Sequence, residues 1–286
     1  RRTAIRDLRV ADGDLGQACR TDAAARVERT TTERGLHIEV DDEDPTKISA
    51  FREKPSDPKG LPDSPDEILA SMGNYVFTAD VLVDAVTRDH DLAGSRHDMG
   101  GDIVPALVAR DAAYTYDFKK NVIPGGTDRD KGYWRDVGTL DSYFDAHMDL
   151  ISIHPIFNLY NYDWPIYTDY GPYPPAKFVH GAHGRFGEAL NSAVSPGTVI
   201  SGARVTNSVI GANCRVHSYS ELDQVVMLDN VTIGRQCRIQ RAIIDKNVEI
   251  PEGTEIGLDP ARDAARGFTI TENGVVVIGK GDIVEP

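Results

Sequence analysis

From residue 199 onward, branched side chains return every six residues. Val199 is followed by Val205, Ile210 by Val216, Ile233 by Ile239, and Ile244 by Ile250 and Ile256. Turn-forming residues stand between them, as in Ser201-Gly202-Ala203, Gly211-Ala212-Asn213 and Pro251-Glu252-Gly253. A helix repeats every 3.6 residues and a strand every two, so neither accommodates this period. One short strand plus one turn on each side of a triangular parallel coil does, with the branched residues stacked inward. A plain β-sandwich would need two-residue alternation along longer strands. The expectation is a parallel β-helix of hexapeptide repeats over residues 179–286.

The preceding text has another texture. Residues 37–152 alternate strand and helix patterns, which argues an α/β sheet with ligands at its strand ends. Strands are expected at Ile48–Phe51, Met72–Phe77, Ala112–Phe118 and Tyr133–Val137. Thr78 predicts a helix start, with Val81, Leu82, Ala85 and Val86 on its apolar face. A second helix is expected over 102–109, with Ile103, Leu107 and Val108 inward. A third follows Thr139, with Leu140, Phe144, Met148 and Ile151 on one face. Pro55 to Pro65 holds four prolines and reads as a loop. Residues 153–178 carry five prolines and a run of aromatics, the marks of a linker docked on the protein rather than left in water. Residues 1–36 hold eight Arg and no Lys with weak periodicity, an atypical segment read as a disordered or loosely helical tail.

Charge and cysteine content exclude several classes. The net charge of −14 disfavours nonspecific binding to nucleic acid or to an anionic membrane. It leaves phosphate ligands open, because they need only local cations. No apolar run approaches the ~20 residues of a membrane span, and the first residues show no secretory signal. Cys19, Cys214 and Cys237 are odd in number and lack CxxC spacing, against a disulfide framework or zinc site. The cytoplasm is the expected location.

Candidate chemistry lies at a few strand ends. In Phe51-Arg52-Glu53-Lys54-Pro55, Lys54 can place a point charge on a phosphate and Glu53 can accept hydrogen bonds from sugar hydroxyls. The same pair also reads as a solvated strand end. In Tyr133-Trp134-Arg135-Asp136-Val137-Gly138-Thr139, apolar neighbours suggest a partly buried Asp136 that needs a partner, either a metal ion or Arg135. A capping or salt-bridged role fits it equally. Ser71, ahead of Met72-Gly73-Asn74-Tyr75, is a sugar-contact candidate or a plain strand start. His97-Asp98-Met99-Gly100-Gly101-Asp102 reads as a helix-entry turn in preference to a metal site. Gly125-Gly126-Thr127 does not match a phosphate-binding loop. His183 and His217 read as surface histidines.

Together with His154-Pro155-Ile156-Phe157-Asn158-Leu159-Tyr160-Asn161, these motifs occur in an order and spacing that resembles bacterial glucose-1-phosphate adenylyltransferase, from about Ile38 to Lys280. The resemblance implies a Rossmann-like nucleotide-diphospho-sugar transferase domain, here its C-terminal half, followed by a left-handed parallel β-helix. It implies synthesis of ADP-glucose and diphosphate from ATP and α-glucose 1-phosphate, in glycogen formation. It places Glu53, Lys54 and Ser71 on glucose 1-phosphate, and Asp136 as one of two aspartates that hold Mg²⁺, so that Lys54 and Asp136 are the catalytic candidates. It further implies a homotetramer regulated by sugar phosphates, phosphate or AMP. A family glycine of the sugar site falls at Leu36, one place from Gly35. The family's GGxGTRL loop and its first metal aspartate have no counterpart here. The expectations that follow are an N-terminally truncated chain and residues 1–36 read from an aberrant frame or misjoined gene start. The alternative function is then an inactive remnant serving oligomerisation or regulation.

Overall fold

The computed structural model describes residues 20–28 (as backbone), 36–53, 55–168 and 171–285. The chain divides into two compact units, one ending at Val122 and one starting at Ile123.

The first unit is built on a mixed five-stranded sheet. Its strands are β1 (Arg20–Glu28), β2 (Leu36–Val40), β3 (Ile48–Glu53), β4 (Glu67–Phe77) and β5 (Tyr114–Asp117), in the order β3-β2-β4-β1-β5. β1 runs antiparallel to β4 and parallel to β5. Residues 20–28 thus form an interior strand of the sheet, whereas the sequence reads them as part of an atypical tail. Their alternation is too weak to announce a strand, and pairing on both edges supplies what periodicity does not. Alternate residues of β2 and β3 point inward, and Ile38, Val40 and Ile48 are almost fully buried with Leu69 of β4.

Two helices close that core. α1 (Ala79–His90) starts at Thr78 as expected and buries Ala85, while Val86 stays largely exposed. The helix expected over 102–109 is shorter and preceded by a π-helical turn, Met99–Ile103, which runs into α2 (Val104–Val108). Ile103 and Leu107 are buried as read.

The second unit is a parallel-strand solenoid. Successive coils are offset by 17 residues: Val205 aligns with Leu222, Leu222 with Ile239, and Ile239 with Ile256. Val216, Ile233 and Ile250 form an equivalent column on another side. Three six-residue sides would give eighteen, so one turn per coil is a residue short. The stacked branched residues are at most 2% exposed, an interior of interlocking methyl groups. Left-handed corners are occupied by Asn213, Asn230 and Asn247, whose amides hydrogen-bond from coil to coil (2.8 and 3.2 Å). Asparagine tolerates positive φ better than any branched residue. Cys214 and Cys237 are buried free thiols. Burial pushes the Cys214 thiol up to about 11 and raises that of Cys237 in the same direction. Cys19 lies outside the described residues.

α3 (Leu140–Leu150) belongs to this unit, not to the sheet as the sequence pattern suggested. Thr139 and Ser142 form a reciprocal capping box at its start. Phe144 is 2% exposed and packs with Val226, Ile243 and Val275 of the coil, with Met148 beside them. Arg241 lies over the Phe144 ring, 5.2 Å from its centroid. The segment after α3 is held at a few points, not along all its aromatics: Phe157 packs on Tyr133 (5.2 Å between ring centroids), Asn161 Nδ2 donates to the Pro124 carbonyl (2.8 Å), and Arg129 donates to the His154 carbonyl (2.8 Å). Tyr160, Tyr162 and Tyr167 are 71–84% exposed among the described residues, because the proline-broken backbone gives them no common face. α4 (Pro260–Ala265), with Asp259 as its N-cap, lies at the C-terminal end of the solenoid.

Candidate functional site

Glu53 is the last residue of β3 and is exposed; its cross-strand partner is Leu36. On the other side of β2, His37 pairs with Ala70 of β4, so the next register position sets Leu36 alongside Ser71. Directly opposed residues share one face of a sheet, and strands lie ~4.8 Å apart. Glu53 and Ser71 therefore flank Leu36 on one face, about 10 Å apart by two such spacings. Lys54, the phosphate-binding candidate, lies outside the described residues.

The β4 side of this row carries a bulge. Opposite β1, the register jumps from Asn74 to Ser71, leaving Met72 and Gly73 as extra residues. Gly73 has φ +69°, a conformation glycine adopts without steric cost. Its N–H donates to Ser71 Oγ (3.2 Å), and the Ser71 and Tyr75 hydroxyls approach to 3.4 Å. The bulge thus brings two hydroxyls together that regular pleating would hold apart.

The π-helical turn completes the cluster. Asp98 caps it, accepting from the Gly101 N–H at 2.5 Å, while the Asp98 N–H donates to Asp102 (3.1 Å). A methyl group added at Gly100 would fall 2.4 Å from Leu36 Cδ1, and 3.6 Å from both the Asp98 carboxylate and the Tyr75 hydroxyl. A larger residue there would have to push the Leu36 side chain aside. Behind the turn, Asp89 on α1 accepts from Ser95 Oγ (2.6 Å) and contacts His97 Nδ1 (2.8 Å). The Ser95 and His97 contacts hold the Asp89 carboxyl below its ordinary value. They also fix His97 at φ +57°, immediately before Asp98.

Ser71, Tyr75, Leu36 and the Asp98–Gly101 turn therefore meet on one surface, with Glu53 at its edge. The sequence reading named Glu53 and Ser71 and did not name Tyr75; its reading of the Asp98 turn as a helix entry matches the structure, where Asp98 caps the π-helical turn that runs into α2. Two signals were available: a glycine inside a strand pattern, and a glycine pair before a helix, where a π-bulge forms.

Asp136, in the second unit, departs from expectation. Tyr133–Val137 is irregular, not a strand, and Asp136 is exposed rather than partly buried. Its Oδ1 accepts from the Gly138 N–H (3.0 Å). Arg135 does not pair with it; that guanidinium faces Asp149 (3.8 Å) and the Asp145 carbonyl (3.4 Å). The apolar neighbours gave no burial because Trp134 and Val137 are themselves 40% and 48% exposed. Among the described residues, no group of three or more His, Cys, Asp or Glu side chains is placed to hold a metal ion. The single free oxygen of Asp136 suits a divalent cation otherwise held by phosphate oxygens and water. His183 is exposed and His217 half-buried.

Comparison with known proteins follows these two regions. Residues 23–153 match the nucleotidyl transferase family model, and residues 174–278 match the GlmU-like C-terminal hexapeptide model. The chain is similar to the glucose-1-phosphate adenylyltransferase of Frankia casuarinae, 56% identical over 234 residues, 82% of this chain and 57% of that protein. That of Leifsonia xyli subsp. xyli is 55% identical over 249 residues, 87% of this chain and 60% of the relative. That of Corynebacterium jeikeium is 51% identical over 265 residues, 92% and 64% respectively. The chain spans about three-fifths of the length of the curated relatives it matches. A nucleotidyl transferase segment followed by a hexapeptide solenoid, it is a relative of bacterial glucose-1-phosphate adenylyltransferases along most of its own length.

Proposed function

We propose that this chain supplies the sugar-phosphate side of a glucose-1-phosphate adenylyltransferase, joining ATP and α-glucose 1-phosphate into ADP-glucose and diphosphate. The carrying observation is the hydroxyl-lined face of the first unit, where Ser71, Tyr75 and the Asp98 turn converge beside Glu53. Hydroxyls and carboxylates at this spacing suit a pyranose, each of whose hydroxyls both donates and accepts.

In this reading a phosphate oxygen of glucose 1-phosphate attacks the α-phosphorus of ATP. The bond from that phosphorus to the β-phosphate bridging oxygen breaks, and diphosphate leaves. Ser71 and Glu53 orient the sugar, and Lys54 sets a positive charge against its phosphate. Holding the two reactants in line supplies much of the rate, because it removes the entropic cost of their encounter. A divalent cation, Mg²⁺ in the finer form of the proposal, would neutralise phosphate charge when bound, with Asp136 as one of its ligands. The homotetramer, regulation by sugar phosphates, phosphate or AMP, and a cytoplasmic setting remain parts of the same proposal, resting on the family resemblance of the sequence. Among the described residues, no helix is long and apolar enough to cross a membrane.

The test is diphosphate release from the purified chain with ATP, Mg²⁺ and glucose 1-phosphate. Release is expected, with Ser71→Ala raising the KM for glucose 1-phosphate and Asp136→Asn lowering kcat. No release from a soluble, folded chain would overturn the proposal for this chain and support the inactive-remnant alternative.

A further inference from the structure

A cavity of about 450 Å³ opens within the second unit, between α3 and the solenoid. This volume falls in the range of small-molecule sites, ~300–1,000 Å³. No residue of the proposed reaction lines it.

Its two walls differ in chemistry. One is apolar, formed by Met148 and Ile151, with Phe144 itself covered by Arg241 and 2% exposed. The other is a column of long polar side chains from four successive coils: Asn191, Asn207, Gln224 and Arg241. All four occupy the same left-handed corner, with φ between +47° and +54°. Coils stack ~4.8 Å apart, so the column sets one polar group per step along the solenoid axis, over a rise of about 15 Å by three such steps.

The column is only partly self-satisfied. Asn191 Nδ2 donates to Asn207 Oδ1 (3.5 Å), and Asn207 Nδ2 donates to Asp223 (2.9 Å). Arg241 donates through Nε to the Asn273 carbonyl (3.1 Å) and through Nη1 to Gln224 Oε1 (3.4 Å). The Gln224 amide nitrogen and the Asn191 amide oxygen take no partner among the described residues, leaving one donor and one acceptor facing the cavity. Charge is balanced, because Asp145 and Arg241 both line the cavity.

We propose that this cavity binds a neutral, elongated, polyhydroxylated ligand, a short saccharide. Amides pair with hydroxyl groups in both directions. The apolar wall matches the C–H face of a pyranose ring. The balanced charge gives no advantage to an anion, and a ladder at strand spacing favours a linear ligand over a compact one.

Calorimetric titration of the full chain tests this, with maltotriose and raffinose as probes and inorganic phosphate as competitor. Saturable binding of at least one trisaccharide is expected. Gln224→Glu removes the free donor without changing shape and should weaken it at least tenfold. Ser152→Trp, at an exposed rim position, should fill the cavity and abolish binding while leaving the melting temperature unchanged. Three results would each overturn the proposal: no saturable binding of either trisaccharide, binding that survives Ser152→Trp, or displacement of the saccharide by phosphate. The readout is binding alone, so it stands or falls independently of the adenylyltransferase reading.

Discussion

The solenoid and the sheet use irregular backbone in opposite ways. In the solenoid, departures from extended geometry recur at the same corners of successive coils, and at one corner they carry the same residue type, Asn213, Asn230 and Asn247. They are part of the repeat. In the sheet unit, the irregularities occur once each: the bulge at Met72–Gly73 and the π-helical turn at Met99–Ile103. Both lie on the face that gathers Ser71, Tyr75 and Asp98. Repetition spreads small costs over a whole domain, whereas a single bulge re-aims particular side chains. The solenoid is therefore understood as packing, and the sheet unit as packing interrupted by the proposed site.

The largest effect should come from the repeat. Ile244→Ala removes a fully buried side chain from the coil interior and should cost about 2–5 kcal/mol in urea denaturation. Ile153→Ala, at a position 85% exposed, should change stability by less than about 0.5 kcal/mol. Equal effects would mean that the stacked core does not stabilise the unit.

Gly73→Val comes next. A β-branched residue at φ +69° should cost about 1–2 kcal/mol. It should also raise the KM for glucose 1-phosphate, because the bulge sets Ser71 against Tyr75. A normal KM with lowered stability would reduce the bulge to a structural feature. Thr139→Ala, which breaks the α3 capping box, should cost about 1 kcal/mol and leave that KM unchanged.

Two smaller effects are titrations. Asp89 has a lowered folded-state value, so its contribution is present above its unfolded value and is lost as pH falls through the folded one. Acid unfolding curves should show that loss only below about pH 4, and Asp89→Asn should remove it. Cys214 runs the other way: its thiol stays protonated in the fold up to about 11. In a Cys19→Ser background, Cys214 and Cys237 should resist alkylation at pH 8 until the chain is unfolded. Rapid labelling of the native chain would place them outside the packed interior.

Legibility differed between the regions for a physical reason. The coil was plain in the sequence because each buried position repeats the same demand, for a branched side chain or for a residue that accepts a left-handed corner. Glu53 was legible as a carboxylate at a strand end, whereas Ser71, read as a strand start, lies in the middle of β4. Tyr75 was not legible, because its approach to Ser71 depends on two extra residues in β4 that only pairing with β1 exposes. Asp136 misled, since its apolar neighbours face outward with it. α3 carried a clear helical period, yet nothing local shows that Phe144 is buried by Val226 and Ile243, 82 and 99 residues later in the chain.

The sequence by itself determined the period of the solenoid, the positions of α1 and α3, and the motifs that relate this chain to the adenylyltransferases. Those are local or repeated properties, written in the spacing of side chains. The tertiary structure decided that residues 20–28 form an interior strand and that α3 packs on the coil. It also decided that Ser71, Tyr75 and the Asp98 turn share one face. Each depends on which segments pair across long separations, and that choice is made by the burial available to the whole chain rather than by any one stretch of it.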